Sequence, residues 1–180
     1  MPMPSILVAR HAAALSLLAG MIAIAGDAGA QTDKLRSSHG DWQVRCAPDT
    51  DACVMAQVGK GPQGNDLIEM RIRKLDGVTG QNGDPVPAAI QILAPLGVAL
   101  KAGVRVQIDS AEVRGAAFEV CAQGGCIVRE PMGDKFVSEM KAGASATVTL
   151  TALPPDGQVQ ELASRISLRG FTAAFNALSP

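Results

Sequence analysis

Four cysteines carry the clearest potential for chemistry in this chain, and they fall into two close pairs. Cys46 precedes Cys53, and Cys121 precedes Cys126. An even number of cysteines in an exported chain favours disulfides, and the short spacing favours local pairing among the three possible connectivities. Neither pair has the Cys-x-x-Cys spacing of a thioredoxin-like centre, and only the second pair has zinc-ligand spacing. We therefore predict two structural disulfides, with a metal site or a redox centre as the alternatives.

A glycine-rich segment, residues 59–64, formally matches the Gly-x-Gly-x-x-Gly fingerprint of dinucleotide sites. In such sites the loop opens a helix, whose N-terminus holds the pyrophosphate. Here the alternating run Ile68, Met70 and Ile72 follows, which is typical of a strand. Pro62 also removes one backbone N–H from the loop. The pattern therefore indicates a glycine-rich hairpin loop, and we predict no cofactor.

Catalytic side chains are not grouped in the sequence. His39 is the only histidine after the N-terminal leader, and it lies in a polar segment that offers few neighbours to hold it. The acidic residues have no spacing that would place two of them across a cleft, as glycosidase chemistry requires. Those considered are Asp66, Glu69, Asp109, Glu112, Glu119, Glu130, Asp134 and Glu139. We predict no catalytic residue and no metal site, and hence a protein that is not an enzyme.

The densest basic run comprises Arg71, Arg73 and Lys74, which we place on the outward face of one strand. One interpretation is a site for an anionic partner, such as a lipid head group. The other, which the sequence favours, is an edge strand whose charges discourage pairing with another sheet. These three residues are our candidates for partner binding, and both interpretations are kept.

The first 30 residues have the order of a cleaved secretory signal. Arg10 and His11 supply positive charge, and an apolar run without charged residues follows. Ala28-Gly29-Ala30 then offers the small residues that a signal peptidase needs. The run is shorter than the roughly 20 residues of a spanning helix. We predict export, cleavage after Ala30 and no transmembrane segment in the mature chain, residues 31–180.

The composition excludes nucleic acid as a partner. The formal net charge is −1, whereas a surface that contacts many phosphates leaves a clear positive excess. With four Phe, one Trp and no Tyr, the chain also has few aromatic residues on which bases could stack.

Alternation of apolar and polar residues dominates the mature chain and predicts strands. The strongest runs begin at Trp42, Ile68, Val104, Ala146 and Leu162. Weaker strands are predicted over residues 53–58, 88–93, 117–121 and 126–129.

Two further segments have apolar residues at helical spacing, around Phe136 and around Phe175, which predicts two short helices. Many short strands separated by turn residues indicate an all-β sandwich or barrel. We predict a single such domain over residues 41–180, preceded by a flexible polar arm over residues 31–40.

Several segments together resemble the invasion-associated locus B family of exported bacterial proteins, and they span the predicted domain in one order. They are Gly40-Asp41-Trp42-Gln43-Val44-Arg45-Cys46 with Cys53 following, Pro95-Leu96-Gly97-Val98, Lys101-Ala102-Gly103-Val104, Gln107-Ile108-Asp109, residues 118–126 with the second cysteine pair, Lys141-Ala142-Gly143, and Ser167-Leu168-Arg169-Gly170-Phe171 with Ala174-Phe175.

The resemblance implies a single immunoglobulin-like β-sandwich in the periplasm or at the cell surface, and a link to host-cell invasion. It supplies no catalytic residue and no cofactor. The predicted function is an exported, non-enzymatic binding module of the bacterial cell envelope, with a protein or lipid partner in the envelope or on a host cell. The alternative is a periplasmic enzyme, or a thiol-redox or stress factor, which would carry a reactive thiol or a carboxylate pair in a pocket.

Overall fold

The computed structural model describes residues 33–154 and 157–179, so the predicted signal segment, residues 1–30, lies outside the described residues. The strands are β1 (Lys34–His39), β2 (Trp42–Cys46), β3 (Cys53–Lys60), β4 (Asp66–Lys74), β5 (Ala88–Ala94), β6 (Val104–Ile108), β7 (Arg114–Ala116), β8 (Val120–Ala122), β9 (Gly125–Met132), β10 (Ser145–Ala152) and β11 (Gln160–Ser167). The helices are α1 (Asp134–Ala142) and α2 (Phe171–Asn176), and one 3-10 turn covers Leu100–Ala102. Among the described residues, no helix is both long and apolar enough to cross a membrane. The prediction of an all-β fold with one or two short helices is confirmed.

The strands form one curled antiparallel sheet in the order β7-β6-β10-β11-β3-β4-β5-β9-β8, and β2 pairs with both β3 and β1. The link between β11 and β3 is a single register pair, Arg165 with Lys60. This weak link divides the sheet into two layers. The wide sheet contains β1, β2, β3, β4, β5, β9 and β8, and the narrow sheet contains β7, β6, β10 and β11.

The core lies between the two layers and is built from the inward residues of each alternating strand. Met70 and Ile72 of β4 are fully buried, as are Val148 and Leu150 of β10, and all four belong to one apolar cluster. Burying a side chain of this size stabilises the fold by roughly 1.5–3 kcal/mol. The alternation in the sequence therefore predicted the inward faces of these strands correctly.

Helix α2 is fastened to the wide sheet through aromatic packing. The Trp42 ring is fully buried and meets the Phe171 ring edge-on, with 5.3 Å between ring centres. Its indole N–H donates a hydrogen bond to the Ser167 carbonyl oxygen at 2.9 Å, which satisfies its one polar atom. Trp42 therefore ties β2 to β11 and to the start of α2.

The predicted flexible arm, residues 31–40, is wrong where the structure describes it. Residues Lys34–His39 form β1, which pairs antiparallel with β2. Most of this strand is exposed, and Leu35 is 58% exposed. Because β1 has no apolar face, the alternation that marked the other strands was absent from its sequence.

The turn between β1 and β2 is held by close backbone packing against the turn before α2. A Cβ at Gly40 would collide with the Arg169 carbonyl, and a Cβ at Gly170 would collide with the His39 carbonyl. Both glycines also have positive φ, which residues with a side chain rarely adopt. The β1–β2 turn is consequently part of the packed domain.

Candidate functional site

The three basic residues named from the sequence lie on β4, an interior strand of the wide sheet. It pairs with β3 on one side and with β5 on the other. The interpretation that these charges keep an edge strand from pairing with another sheet is therefore wrong, since that role applies to strands with an unpaired side. The sequence of β4 could not reveal this, because its position depends on how the other strands are ordered.

The prediction of one outward-facing run is also wrong for Lys74. Side chains alternate along a strand, and Ile72 is fully buried, so Arg71 and Arg73 point outward while Lys74 does not. The Lys74 ammonium donates a hydrogen bond to the Leu178 carbonyl oxygen at 2.9 Å and lies 5.2 Å from the centre of the Phe175 ring. Lys74 therefore holds the C-terminal segment on the sheet.

The two outward arginines of β4 are joined by a third from β9. Arg71, Gln91 and Arg129 are directly opposed across β4, β5 and β9, and Arg73 lies opposite Ala89. The short side chain of Ala89 leaves a groove of about 290 Å³ between them. We call the surface formed by Arg71, Arg73, Gln91 and Arg129 the arginine face.

Arg71 is the most restrained of these arginines. Its Nη2 lies 2.9 Å from a Glu69 carboxylate oxygen, and its Nη1 lies 3.8 Å from an Asp33 carboxylate oxygen. Its Nε is buried without an acceptor among the described residues. A buried N–H without an acceptor is uncommon.

Arg129 and Arg73 are freer. The Arg129 Nη1 contacts a Glu119 carboxylate oxygen at 2.8 Å, and both side chains are about half exposed. Arg73 is exposed and makes no ion pair within residues 33–154 and 157–179. A planar guanidinium without a partner matches carboxylate or phosphate groups, which it can bind through two parallel hydrogen bonds.

A second polar surface, the fork cleft, lies where β2 and β11 diverge beside β3. It encloses about 510 Å³. The Gln57 side chain spans the divergence, because its amide donates to the Ser167 carbonyl at 2.9 Å and accepts from the Ser167 N–H at 2.7 Å. The side chains at its walls are those of Asp41, Gln43, Arg45, Ala56, Gln57, Val58, Lys60, Glu69, Ala144, Ser145, Arg165 and Ser167.

Glu69 connects the fork cleft to the arginine face. It lines the cleft, where the Arg45 Nη1 is 3.9 Å away, and its other carboxylate oxygen binds Arg71. Sequence reasoning missed the cleft, since residues that meet in it, such as Gln57 and Ser167, are 110 residues apart in the chain. No local motif marks such a surface.

Two carboxylates, those of Asp41 and Asp109, have pKa values below the ordinary value because they accept hydrogen bonds. The hydrogen bond from Arg169 lowers the pKa of Asp41 below its ordinary value. The backbone N–H groups of Ala144 and Ser145 lower the pKa of Asp109. Groups with lowered pKa values that are already hydrogen-bonded act as anchors, and they are poor proton donors at neutral pH.

The cysteines pair as predicted, Cys46 with Cys53 and Cys121 with Cys126, and the described residues contain no free cysteine. Each disulfide joins directly opposed residues of a hairpin, β2–β3 in the first case and β8–β9 in the second. Their surroundings differ, because Cys46 and Cys53 are both buried whereas Cys121 is exposed.

The other candidates named from the sequence belong to a hairpin turn and to a strand. The glycine-rich segment is the β3–β4 hairpin, in which the Gly61 N–H donates to the Asn65 carbonyl at 2.8 Å. His39 lies on β1, with its Nε2 2.9 Å from the Ser37 hydroxyl. Within the described part of the chain, no three His, Cys, Asp or Glu side chains are grouped as a metal site would need.

The fold and these surfaces define a class: an all-β domain with two hairpin disulfides and an arginine-rich polar outer surface. Residues 42–179 match the family described as Invasion associated locus B (IalB) protein, and the chain belongs to this family. The resemblance found in the sequence is thereby confirmed.

Individual relatives agree with this assignment. An invasion protein B homolog of Brucella abortus (strain 2308) is 32% identical over 164 residues, covering 89% of this chain and 88% of the relative. Invasion protein B of Bartonella bacilliformis is 25% identical over 149 residues, covering 81% of this chain and 75% of the relative. The crystal structure of invasion associated protein b from Bartonella henselae matches with a TM-score of 0.61 and 23% identity, covering 81% of this chain and 96% of that one. This structural match shows a shared fold.

Proposed function

We propose that this protein is an exported, non-enzymatic binding module of the bacterial cell envelope, and that it contributes to host-cell invasion by engaging a protein partner through the arginine face. The observation that carries the proposal is Arg73, which has no ion-pair partner among the described residues and lies beside an open groove on an interior strand. The names of the relatives, invasion protein B and its homolog, supply the link to invasion.

The charge pattern of this surface favours a protein over a lipid partner. Carboxylates alternate with arginines there, because Glu69 and Asp33 flank Arg71, and Glu119 flanks Arg129. A membrane with uniformly anionic head groups would be repelled by these carboxylates. A protein surface can match both signs, and arginine is enriched at such interfaces.

The non-enzymatic part of the proposal rests on how four of the candidate acidic side chains are used. Glu69 and Glu119 bind arginines, and Asp109 accepts hydrogen bonds from backbone N–H groups. Glu139 binds Arg114 at 2.6 Å. Carboxylates held in this way stabilise structure and are poorly placed for acid–base work.

Export is tested by the intact mass of protein taken from a cell-envelope extract after alkylation without reduction. The proposal predicts the mass of residues 31–180, four protons lighter and without alkyl groups. A mass that retains residues 1–30 would contradict export.

The binding role is tested by matched charge reversals in the bacterium, Arg73→Glu on the arginine face and Arg105→Glu on the narrow sheet. Loss of an arginine at an interface centre costs about 2 kcal/mol or more, so Arg73→Glu should lower recovery of intracellular bacteria about tenfold or more. Arg105→Glu should leave recovery within about twofold of wild type, since Arg105 lies outside the arginine face and its contact with Glu161 is exposed, so that water and salt screen the reversed charge. Equal invasion by the two variants, at equal protein levels in the envelope, would overturn the proposal.

A further inference from the structure

The guanidinium of Arg36 lies beside the Cys46–Cys53 disulfide. The Arg36 Nη1 lies 3.6 Å from the Cys53 sulfur and 3.9 Å from the Cys46 sulfur. The same Nη1 lies 3.5 Å from a carboxylate oxygen of Asp51, whose side chain is 88% exposed. The guanidinium thus faces the disulfide from the solvent side of the hairpin.

An irregularity in β1 produces this placement. Leu35 pairs with Arg45 and Ser37 pairs with Val44, so Arg36 is an extra residue without a partner in β2. Such a bulge re-aims a side chain, and bulges are frequent beside functional sites. The geometry of β1 therefore directs Arg36 toward the sulfurs.

A cation in this position has a chemical consequence. It stabilises the thiolate form of a cysteine, and a disulfide releases the sulfur with the more stable thiolate faster. The guanidinium lies close to both sulfurs, 3.6 Å from that of Cys53 and 3.9 Å from that of Cys46, so it can stabilise the thiolate that leaves when the other sulfur is attacked.

Both cysteines of this pair are buried, and Cys46 is the one that borders an open pocket. Cys46 lines an open surface pocket of about 340 Å³, together with Arg36, Pro48, Thr50 and Asp51, whereas Cys53 does not line it. A thiol entering this pocket would therefore reach the Cys46 sulfur. Cys53 would then be the leaving group.

We propose that Cys46–Cys53 is a thiol–disulfide exchange site, a function separate from partner binding by the arginine face. An incoming thiolate bonds to the Cys46 sulfur, the Cys46–Cys53 bond breaks, and its electron pair leaves on Cys53 as a thiolate beside Arg36. A second thiolate then attacks the mixed disulfide at the sulfur of the first thiol and releases Cys46. Two thiols are oxidised to one disulfide, and the protein gains the two electrons as its dithiol.

The Cys121–Cys126 disulfide is an internal control. Cys121 is exposed, and no guanidinium contacts either sulfur among the described residues. The exchange rate at Cys121–Cys126 depends on how easily a thiol reaches the disulfide. The rate at Cys46–Cys53 depends on this access and also on the effect of Arg36.

The test is the rate of reaction with glutathione at each disulfide of the protein purified from the envelope. Samples are quenched with acid, and the glutathione-bearing cysteine is identified by peptide mass. We expect glutathione on Cys46 and a free thiol at Cys53. Arg36→Met should slow exchange at this pair about tenfold, and Arg36→Lys should restore part of the rate. The rate at Cys121–Cys126 should not change.

The sign of the effect separates this proposal from a structural role of Arg36. If Arg36 only holds β1 in place, Arg36→Met loosens the hairpin and accelerates exchange at Cys46–Cys53. Asp51→Asn, which removes the competing carboxylate, should accelerate exchange severalfold under the proposal. Acceleration by Arg36→Met, an unchanged rate, glutathione on Cys53 or no reaction at this pair would each overturn it.

Discussion

The two outer faces of the sandwich belong to different strands that share the same alternation of apolar and polar residues, yet they present different side chains. The narrow sheet places Thr147 and Thr149 at the middle of β10, beside an Arg105 that is paired with Glu161. The wide sheet places the arginine face and its groove at the middle of β4, β5 and β9.

The narrow sheet also has outward arginines, Arg105 opposite Thr149 and Arg165 opposite Thr147. The two faces differ in how the arginines are grouped, and among the described residues only on the wide sheet do three of them line one groove. Threonine fits an exposed strand position well, and the narrow sheet uses it on three successive outward positions of β10, Thr147, Thr149 and Thr151. The clustering of arginines on the wide sheet therefore calls for another cause, which we assign to binding.

The largest expected contrast between the faces is in stability. Arg71→Met should lower the free energy of unfolding by about 1–3 kcal/mol, because Glu69, only 17% exposed, loses its 2.9 Å partner. Arg105→Met should cost less than about 1 kcal/mol, since Arg105 and Glu161 are 47% and 60% exposed. Urea denaturation measures both values. Equal losses of unfolding free energy in the two variants would mean that the ion pairs of the two faces contribute equally to stability.

The groove itself can be filled without changing charge. Ala89→Leu adds bulk between the arginines, and Ala163→Leu adds the same bulk opposite Thr149 on the narrow sheet. We expect Ala89→Leu to weaken invasion about tenfold, which corresponds to about 1.4 kcal/mol of lost binding. Ala163→Leu should have no effect on invasion, and both should unfold within about 0.5 kcal/mol of wild type. If only Ala163→Leu weakened invasion, the binding surface would lie on the narrow sheet.

The smallest contrast concerns acid stability. Asp41, at the β1–β2 turn of the wide sheet, and Asp109, at the end of β6 in the narrow sheet, both have lowered pKa values in the folded protein. Their contribution to stability is therefore present above pH 3.8, the ordinary value, and is lost as the pH falls through the folded pKa. Asp41→Asn and Asp109→Asn should each flatten this decline in urea unfolding between pH 2 and 5.

Salt should affect the stability contributed by Asp41 more than the stability contributed by Asp109. The main partner of Asp41 is the exposed guanidinium of Arg169, whereas Asp109 is held first by backbone N–H groups. Screening at about 1 M salt acts on exposed charges, so the effect of Asp41→Asn should shrink and that of Asp109→Asn should persist. Equal sensitivity to salt would contradict this assignment of causes.

The sequence predicted those parts of the fold that depend on local pattern. The inward residues of β4 and β10 and the local pairing of the cysteines follow from spacing a few residues apart. The interior position of β4, the joining of Arg129 to Arg71 through Gln91 and the fork cleft depend on strand order, which local spacing does not encode. Strand β1 was missed for another reason, because an exposed strand without an apolar face carries no periodic signal.

The central claim is that the arginine face, and not the outer surface of the narrow sheet around Thr149, meets a protein partner at the cell envelope. The most direct measurement places a photo-crosslinking amino acid at Gln91, or at Thr149 as the control, and irradiates intact bacteria alone and with host cells. The account predicts a discrete protein adduct from position 91 that is lost on combination with Arg73→Glu, and none from position 149. Adducts of equal yield from both positions, lipid adducts from position 91, or no adduct from position 91 would contradict it.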